Sequence, residues 1–186
     1  MQADFKIAID ACVLANIAVC DLFLRLAEKP RLFLPRWSTA ILDETRRVQS
    51  GKLNWPEPLV ESWRSEVIRS FPDAVVDDYD HLIEKVDNDE KDRHVLAATI
   101  RSGASVIVTF NLKDFPSEAL EPWGIEACHP QDYLLTLYTM APEIVVLKLN
   151  EMARKRNKQL IDLVIMLGKA LPTFTSHLID DLALEI

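Results

Sequence analysis

The sequence predicts an α/β fold in which a parallel sheet flanked by helices occupies residues 1–130 and an all-helical extension occupies residues 131–186. Short apolar runs rich in β-forming residues alternate with helical patterns as far as about His129, which is the order of βαβ units. Beyond Pro130 the apolar residues recur only at helical spacing. A chain of 186 residues with 49% hydrophobic content is long enough for one such domain and an appendage.

The individual elements follow from apolar periodicity and from Gly and Pro breaks. The first strand, residues 5–9, alternates in bulk and ends at Asp10. The other elements expected in the sheet region are a helix to about Glu28, a strand at 31–34, a helix at 39–48 capped by Ser38 or Thr39, a helix at 57–70, short helices near 80–86 and 92–102, a strand at 104–109, a helical turn from Pro116, and a strand at 125–128. The extension should contain helices over 131–138, 142–157, 158–170 and from Pro172 onward.

Two acidic residues follow predicted strands. Asp10 closes the first strand, and Asp114 lies just past the strand at 104–109. Because ligand sites of open parallel sheets form outside the carboxyl ends of the strands, both carboxylates are expected on one rim. Carboxylate oxygens are the ligands that hard divalent cations such as Mg²⁺ prefer, so this rim is a candidate metal site.

Two further acids lie on predicted helices. At about 100° per residue, Glu44 borders the apolar stripe of its helix, whereas its neighbour Asp43 points to solvent. Asp92 is aligned with Val95 in the middle of the next apolar face. A carboxylate at such a position should be paired or liganded, because burying an isolated charge is costly. The alternative is that Asp92 is a first-turn acid that favours the helix dipole.

The net charge of −8 argues at first against a nucleic-acid ligand, since phosphate binding is driven by Lys and Arg. Nine of the acids, however, fall between Asp73 and Asp92, so much of the excess lies in one segment. A cation held by carboxylates would also offset their charge where a phosphate arrives. Net charge therefore does not exclude RNA.

Signals for export or for a membrane are absent from the sequence. No basic segment followed by an apolar one opens the chain, and no apolar stretch approaches membrane-spanning length, which favours a cytoplasmic protein. Three cysteines without Cys-x-x-Cys spacing and four scattered histidines favour neither a disulfide framework nor a zinc site.

Acidic residues recur in a fixed order within four stretches, Ile7–Leu14, Ile41–Glu44, Lys91–Ile100 and Val106–Pro116. These stretches resemble the motifs of PIN-domain nucleases, and in particular those of the VapC-like toxins of type II toxin–antitoxin pairs. The similarity covers about residues 4–130. The helical tail resembles the C-terminal extension of a longer VapC-like subgroup.

The resemblance implies a Mg²⁺- or Mn²⁺-dependent endoribonuclease that hydrolyses RNA phosphodiesters, with a cognate antitoxin as its partner and a homodimer as its assembly. By the same resemblance, the residues at the catalytic and metal-binding positions are Asp10, Glu44, Asp92 and Asp114, with Asn111 as a further metal-site residue. Arg93, His94 and Lys113 flank these acids and are either RNA contacts or ordinary surface residues.

The sequence departs from the family pattern in two places. Asn111 stands where many members have Asp, and Ala11-Cys12 stands where they often have Thr-Asn, so the site has less charge and Asp10 less polar support. A PIN fold that has lost turnover and serves as a binding scaffold is therefore the alternative function. A haloacid-dehalogenase-like phosphatase is disfavoured because Cys12 occupies the position of its second Asp. A third possibility is that the four acids are ordinary cap and surface residues.

Overall fold

The computed structural model describes residues 4–184 and confirms a parallel α/β sheet that is flanked by helices and followed by further helices. The strands are β1 Lys6–Ile9, β2 Leu34–Ser38, β3 Val75–Val76, β4 Val106–Val108 and β5 Glu126–Cys128. All neighbouring pairs are parallel, and the order across the sheet is β3-β2-β1-β4-β5. The chain thus winds outward in two directions from β1, which places the reversal between β1 and β4.

Helices connect the strands and form the C-terminal part. In the sheet region they are α1 Ala11–Leu14, α2 Ile17–Ala27, α3 Thr39–Gly51, α4 Glu57–Ser70, α5 Asp80–Ile83, α6 Arg93–Ser102 and α7 Ser117–Leu120. The extension contains α8 Pro130–Met140, α9 Pro142–Lys155, α10 Leu160–Gly168 and α11 Pro172–Asp181, close to the predicted ranges. Within residues 4–184, no helix is both long and apolar enough to cross a membrane.

Three local predictions were wrong, and one strand was missed. The helix expected after Asp10 is interrupted at Asn16, whose side chain accepts a hydrogen bond from the Val19 N–H at 3.3 Å and so starts a new helix. The second strand begins at Leu34 instead of residue 31, because the Leu34 N–H pairs with the Phe5 carbonyl oxygen at 2.7 Å. The two-residue strand β3 was not predicted, since so short a run has no measurable alternation.

The fourth correction concerns Asp92. The residue lies in a 3₁₀ turn, Glu90–Asp92, and serves as the N-cap position of α6 instead of lying on its apolar face. Its side chain makes no capping hydrogen bond. A carboxylate at this position is near the positive end of the helix dipole but also free to turn toward the rim of the sheet.

The C-terminal helices share a hydrophobic core with the sheet region. Leu149 of α9 and Phe174 of α11 are fully buried and belong to the same cluster as residues of β1 and α2. Polar contacts join the same parts, because Lys148 Nζ donates to the Lys29 carbonyl oxygen at 3.2 Å. A domain boundary at residue 130 stays a prediction, and the packing across it is intimate.

Candidate functional site

Asp10 lies at the centre of the rim, directly after β1, and is only 3% exposed. Its backbone N–H donates to the Val108 carbonyl oxygen at 3.1 Å, which ties the end of β1 to the end of β4. Its carboxylate accepts two hydrogen bonds, from the Thr109 hydroxyl at 2.7 Å and from the Cys12 thiol at 3.0 Å. Both bonds compensate the burial of the carboxylate.

Cys12 therefore supports Asp10, contrary to the sequence-based expectation that replacing Asn at this position removes polar support. Burial, together with the negative charge of Asp10, raises the pKa of the Cys12 thiol to about 12. The thiol accordingly keeps its proton at neutral pH and can donate it in a hydrogen bond to the carboxylate. The role of Thr109 was also missed, although a Thr placed directly at the end of a strand was a signal for it.

Glu44 is brought to the rim by α3. The Ser38 hydroxyl, at the end of β2, caps this helix by accepting the Ile41 N–H at 3.2 Å. The Glu44 side chain is 36% exposed, and its Oε2 lies 3.7 Å from Nε2 of His94. The His94 Nδ1 lies 2.8 Å from the Lys91 carbonyl oxygen, which requires the proton on Nδ1 and turns Nε2 toward Glu44.

The pKa of Asp92 is affected by the other carboxylates of the rim. Burial, and then the negative charges of Asp10, Asp114, Glu44 and Asp89, raise the pKa of Asp92 from 3.8 to about 7. The other three acids predicted from the sequence therefore lie within electrostatic reach of Asp92. Asp89 joins them and was not predicted, because its position directly before the 3₁₀ turn carries no periodic signal.

Asp114 is positioned by the loop before Asp92. Its carbonyl oxygen accepts hydrogen bonds from the Asn88 side-chain amide and from the Asp89 N–H, both at 3.4 Å. Asn88 is 4% exposed, and its Oδ1 is buried without a hydrogen-bond partner among the described residues. The contact fixes the turn that follows β4 against the turn that precedes α6.

The remaining predicted site residues are arranged less closely. Asn111 and Lys113 are exposed on the turn after β4, and the Asn111 side chain makes no capping hydrogen bond. Arg93 is half-buried and donates from Nε to the Asn88 carbonyl oxygen at 3.4 Å, a contact that holds a loop. Of the three flanking residues, His94 faces an acid of the site and Lys113 is available to a ligand.

The donor set suits Mg²⁺ or Mn²⁺ in its chemistry, because it consists of carboxylate oxygens around a buried Asp10. In the part of the chain that the structure describes, however, no three Asp, Glu, His or Cys side chains converge closely enough to hold an ion as they stand. Mutual repulsion among like charges opposes such convergence until a cation offsets it. The ligand roles of Asp10, Glu44, Asp92, Asp114 and Asn111 stay predictions.

Comparison with known proteins supports the resemblance to VapC. No protein-family model matches the chain. A protein of Mycobacterium tuberculosis named "Putative ribonuclease VapC50" is 45% identical over 103 residues, which cover 52% of this chain and 60% of that protein. Over the aligned residues the chain is similar to this relative. Because the VapC-like match spans only three-fifths of the relative, it establishes the likeness and the PIN-like fold, whereas activity, substrate and partners belong to the proposal below.

Proposed function

We propose that this VapC-like chain is a Mg²⁺- or Mn²⁺-dependent endoribonuclease and the toxin of a toxin–antitoxin pair. The observation that carries the proposal is the buried Asp10 carboxylate at the carboxyl end of β1, whose backbone N–H donates to the Val108 carbonyl oxygen at the end of β4. The raised pKa of Asp92 supports it, because burial and then the charges of Asp10, Asp114 and Glu44 raise that pKa. Carboxylates that repel one another in this way are stable when a cation lies among them. The ribonuclease name of the mycobacterial relative supports RNA as the substrate.

The proposed roles follow from position. Asp10, Glu44, Asp92 and Asp114 would hold the cation, with Asn111 contributing a neutral oxygen. When bound, Mg²⁺ or Mn²⁺ supplies positive charge against the scissile phosphate and makes water more acidic. A rim carboxylate accepts a hydrogen bond from the attacking water and orients it. Thr109 and Cys12 hold Asp10 in place throughout.

RNA would approach along the exposed turn after β4. Lys113 offers a positive charge there, and Arg93 and His94 lie at the start of α6. Single-stranded or looped RNA suits an open rim, because unstacked bases can be splayed while the backbone reaches the acids. An antitoxin that covers the rim, a homodimer and a cytoplasmic location complete the proposal.

The Glu44→Gln variant tests the proposal, and the Asp43→Asn variant on the same helix is its control. The substitution removes one charge from the rim while keeping the shape of the side chain, and we expect Mn²⁺-dependent cleavage of total bacterial RNA to fall by about 10²-fold. Asp43→Asn changes the adjacent residue, which is exposed and paired with Arg64 on the surface, and should leave cleavage within about twofold.

Cleavage is followed on gels and by mapping fragment ends, with and without EDTA. Discrete fragments that disappear both in EDTA and in Glu44→Gln support the nuclease. A wild-type chain that retains RNA on a filter but never cleaves it in Mn²⁺ or Mg²⁺ contradicts the nuclease and favours the scaffold alternative. Equal activity of both variants and the wild type contradicts the assignment of the rim.

A further inference from the structure

We propose that Cys12 is a positioning residue that selects which oxygen of Asp10 faces the cation, an inference that rests on the proposed function. The two hydrogen bonds that the Asp10 carboxylate accepts share one acceptor atom, Oδ2. Both the Cys12 thiol, at 3.0 Å, and the Thr109 hydroxyl, at 2.7 Å, donate to Oδ2. Within residues 4–184, no hydrogen bond reaches Oδ1, which is thereby left for a ligand.

The two donors are themselves held by the chain that leaves β4. Consecutive backbone N–H groups bind them, with the Phe110 N–H donating to Sγ of Cys12 at 3.3 Å and the Asn111 N–H donating to Oγ1 of Thr109 at 2.9 Å. Sγ of Cys12 and Oγ1 of Thr109 therefore each accept one hydrogen bond and donate one to Asp10. Sγ of Cys12 also lies 3.4 Å from Oγ1 of Thr109, so the two donors are in contact.

This arrangement opposes rotation of the carboxylate. With a single donor, Asp10 could exchange its two oxygens by turning about the bond to its carboxyl carbon. Two donors, one from α1 and one from the residue that follows β4, fix Oδ2 from two directions. Groups that orient a metal ligand in this way commonly change metal affinity by about 10- to 100-fold when they are removed.

The structural alternative is that Cys12 only fills space. The side chain is half-buried at the base of the rim, and a small residue there has a packing role in any case. The hydrogen-bonding role and the packing role of Cys12 predict different effects of the Cys12→Ser substitution. Ser keeps the donor but is smaller and more polar than Cys, so it rescues a hydrogen-bonding role and not an apolar packing role.

The test measures Mn²⁺ binding by titration calorimetry for the wild type, Cys12→Ala, Cys12→Ser and the control Cys128→Ala. Cys128 is half-buried at the end of β5, far from Asp10 in the sequence, and its thiol lies 3.5 Å from the His129 carbonyl oxygen. We expect the Mn²⁺ dissociation constant to rise about tenfold in Cys12→Ala and to stay within about threefold of wild type in Cys12→Ser and Cys128→Ala. Thermal melting in EDTA confirms that each variant is folded.

Wild-type affinity in Cys12→Ala overturns the inference, as does an equal loss in Cys12→Ser. An infrared measurement without metal distinguishes failure of the role proposed for Cys12 from failure of the proposed nuclease function. The infrared S–H stretching band of Cys12, identified by its loss in Cys12→Ala, should lie at lower wavenumber than that of Cys128 and move upward in Asp10→Asn. If the wild type binds no Mn²⁺, the proposed function fails and the role of Cys12 toward a cation fails with it. If Mn²⁺ binds but the S–H band of Cys12 does not shift in Asp10→Asn, the positioning role of Cys12 fails and the proposed function stands.

Discussion

Asp92→Asn is expected to lower Mn²⁺-dependent RNA cleavage by about 10³-fold, because it removes both a charge and a water-orienting oxygen from the rim. Burial and then the negative charges of Asp10, Asp114, Glu44 and Asp89 raise the pKa of Asp92, so its carboxylate interacts with several acids of the rim. The measurement is the initial rate of cleavage of an RNA in which the wild-type cleavage site has been mapped. Asp87→Asn, at an exposed position in the preceding loop, is the matched control and should cleave at the wild-type rate.

The same substitution should stabilise the protein at alkaline pH when no cation is present. The pKa of Asp92 is about 7 in the folded chain and near 3.8 when the residue is solvated, so the folded state holds this proton to higher pH than the unfolded state. Between about pH 4 and pH 7 the unfolded chain therefore binds fewer protons, and the free energy of unfolding falls as pH rises. Above pH 7 the charged Asp92 lowers the free energy of unfolding by its full amount, and the Asp92→Asn substitution removes this destabilisation.

The stability effect is measured by thermal melting in EDTA at pH 5 and pH 8. Because Asp92 is only half-buried, solvent screening reduces the gain to about 1 kcal/mol, which corresponds to a melting temperature about 3 °C higher at pH 8 and little change at pH 5. Addition of Mn²⁺ should stabilise the wild type more than the variant. A variant that is less stable than wild type at pH 8 would mean that the acids of the rim do not repel one another.

The positions of Asp10 and Glu44 were predictable because each obeys a local rule. Asp10 ends an alternating apolar run, and Glu44 borders the stripe of an amphipathic helix, so strand ends and helix faces placed both on the rim. Asp92 reached the same site by another route, since it precedes its helix instead of lying on it. Tertiary packing of the 88–92 segment against the turn at Asp114 decides this, and no periodic pattern encodes that packing.

The support of Asp10 was not predictable from residue types alone. An Asn-to-Cys replacement looks like the loss of a donor, and only the structure shows that burial beside a carboxylate makes the thiol a donor. Strand β2 illustrates the same limit in the fold. The apolar run at 31–34 was the stronger β signal, yet Leu34–Ser38, with a Pro and an Arg in it, pairs with β1 because the register with Lys6 and Ala8 places Trp37 in the core.

Leu149→Ala should destabilise the whole chain and not the extension alone. Leu149 is fully buried on α9, in the cluster that also contains Phe23 and Leu26 of α2, and truncation of such a residue costs about 2–5 kcal/mol. Since α2 also packs in the core of the sheet region, we expect one cooperative unfolding transition whose midpoint moves to lower urea. Leu147→Ala is the control, because Leu147 lies on the same helix but is 42% exposed, and its loss should cost less than about 0.5 kcal/mol.

Urea unfolding followed by both tryptophan fluorescence and circular dichroism measures this prediction. The tryptophans all precede residue 130, so fluorescence reports the sheet region, whereas circular dichroism also reports helices α8–α11. Coincident transitions that shift together in Leu149→Ala would show that the extension and the sheet fold as one unit. An early loss of helical signal with an unshifted fluorescence transition would instead separate residues 131–186 as an independent domain, and the extension would then be free to serve a partner without affecting the acidic rim.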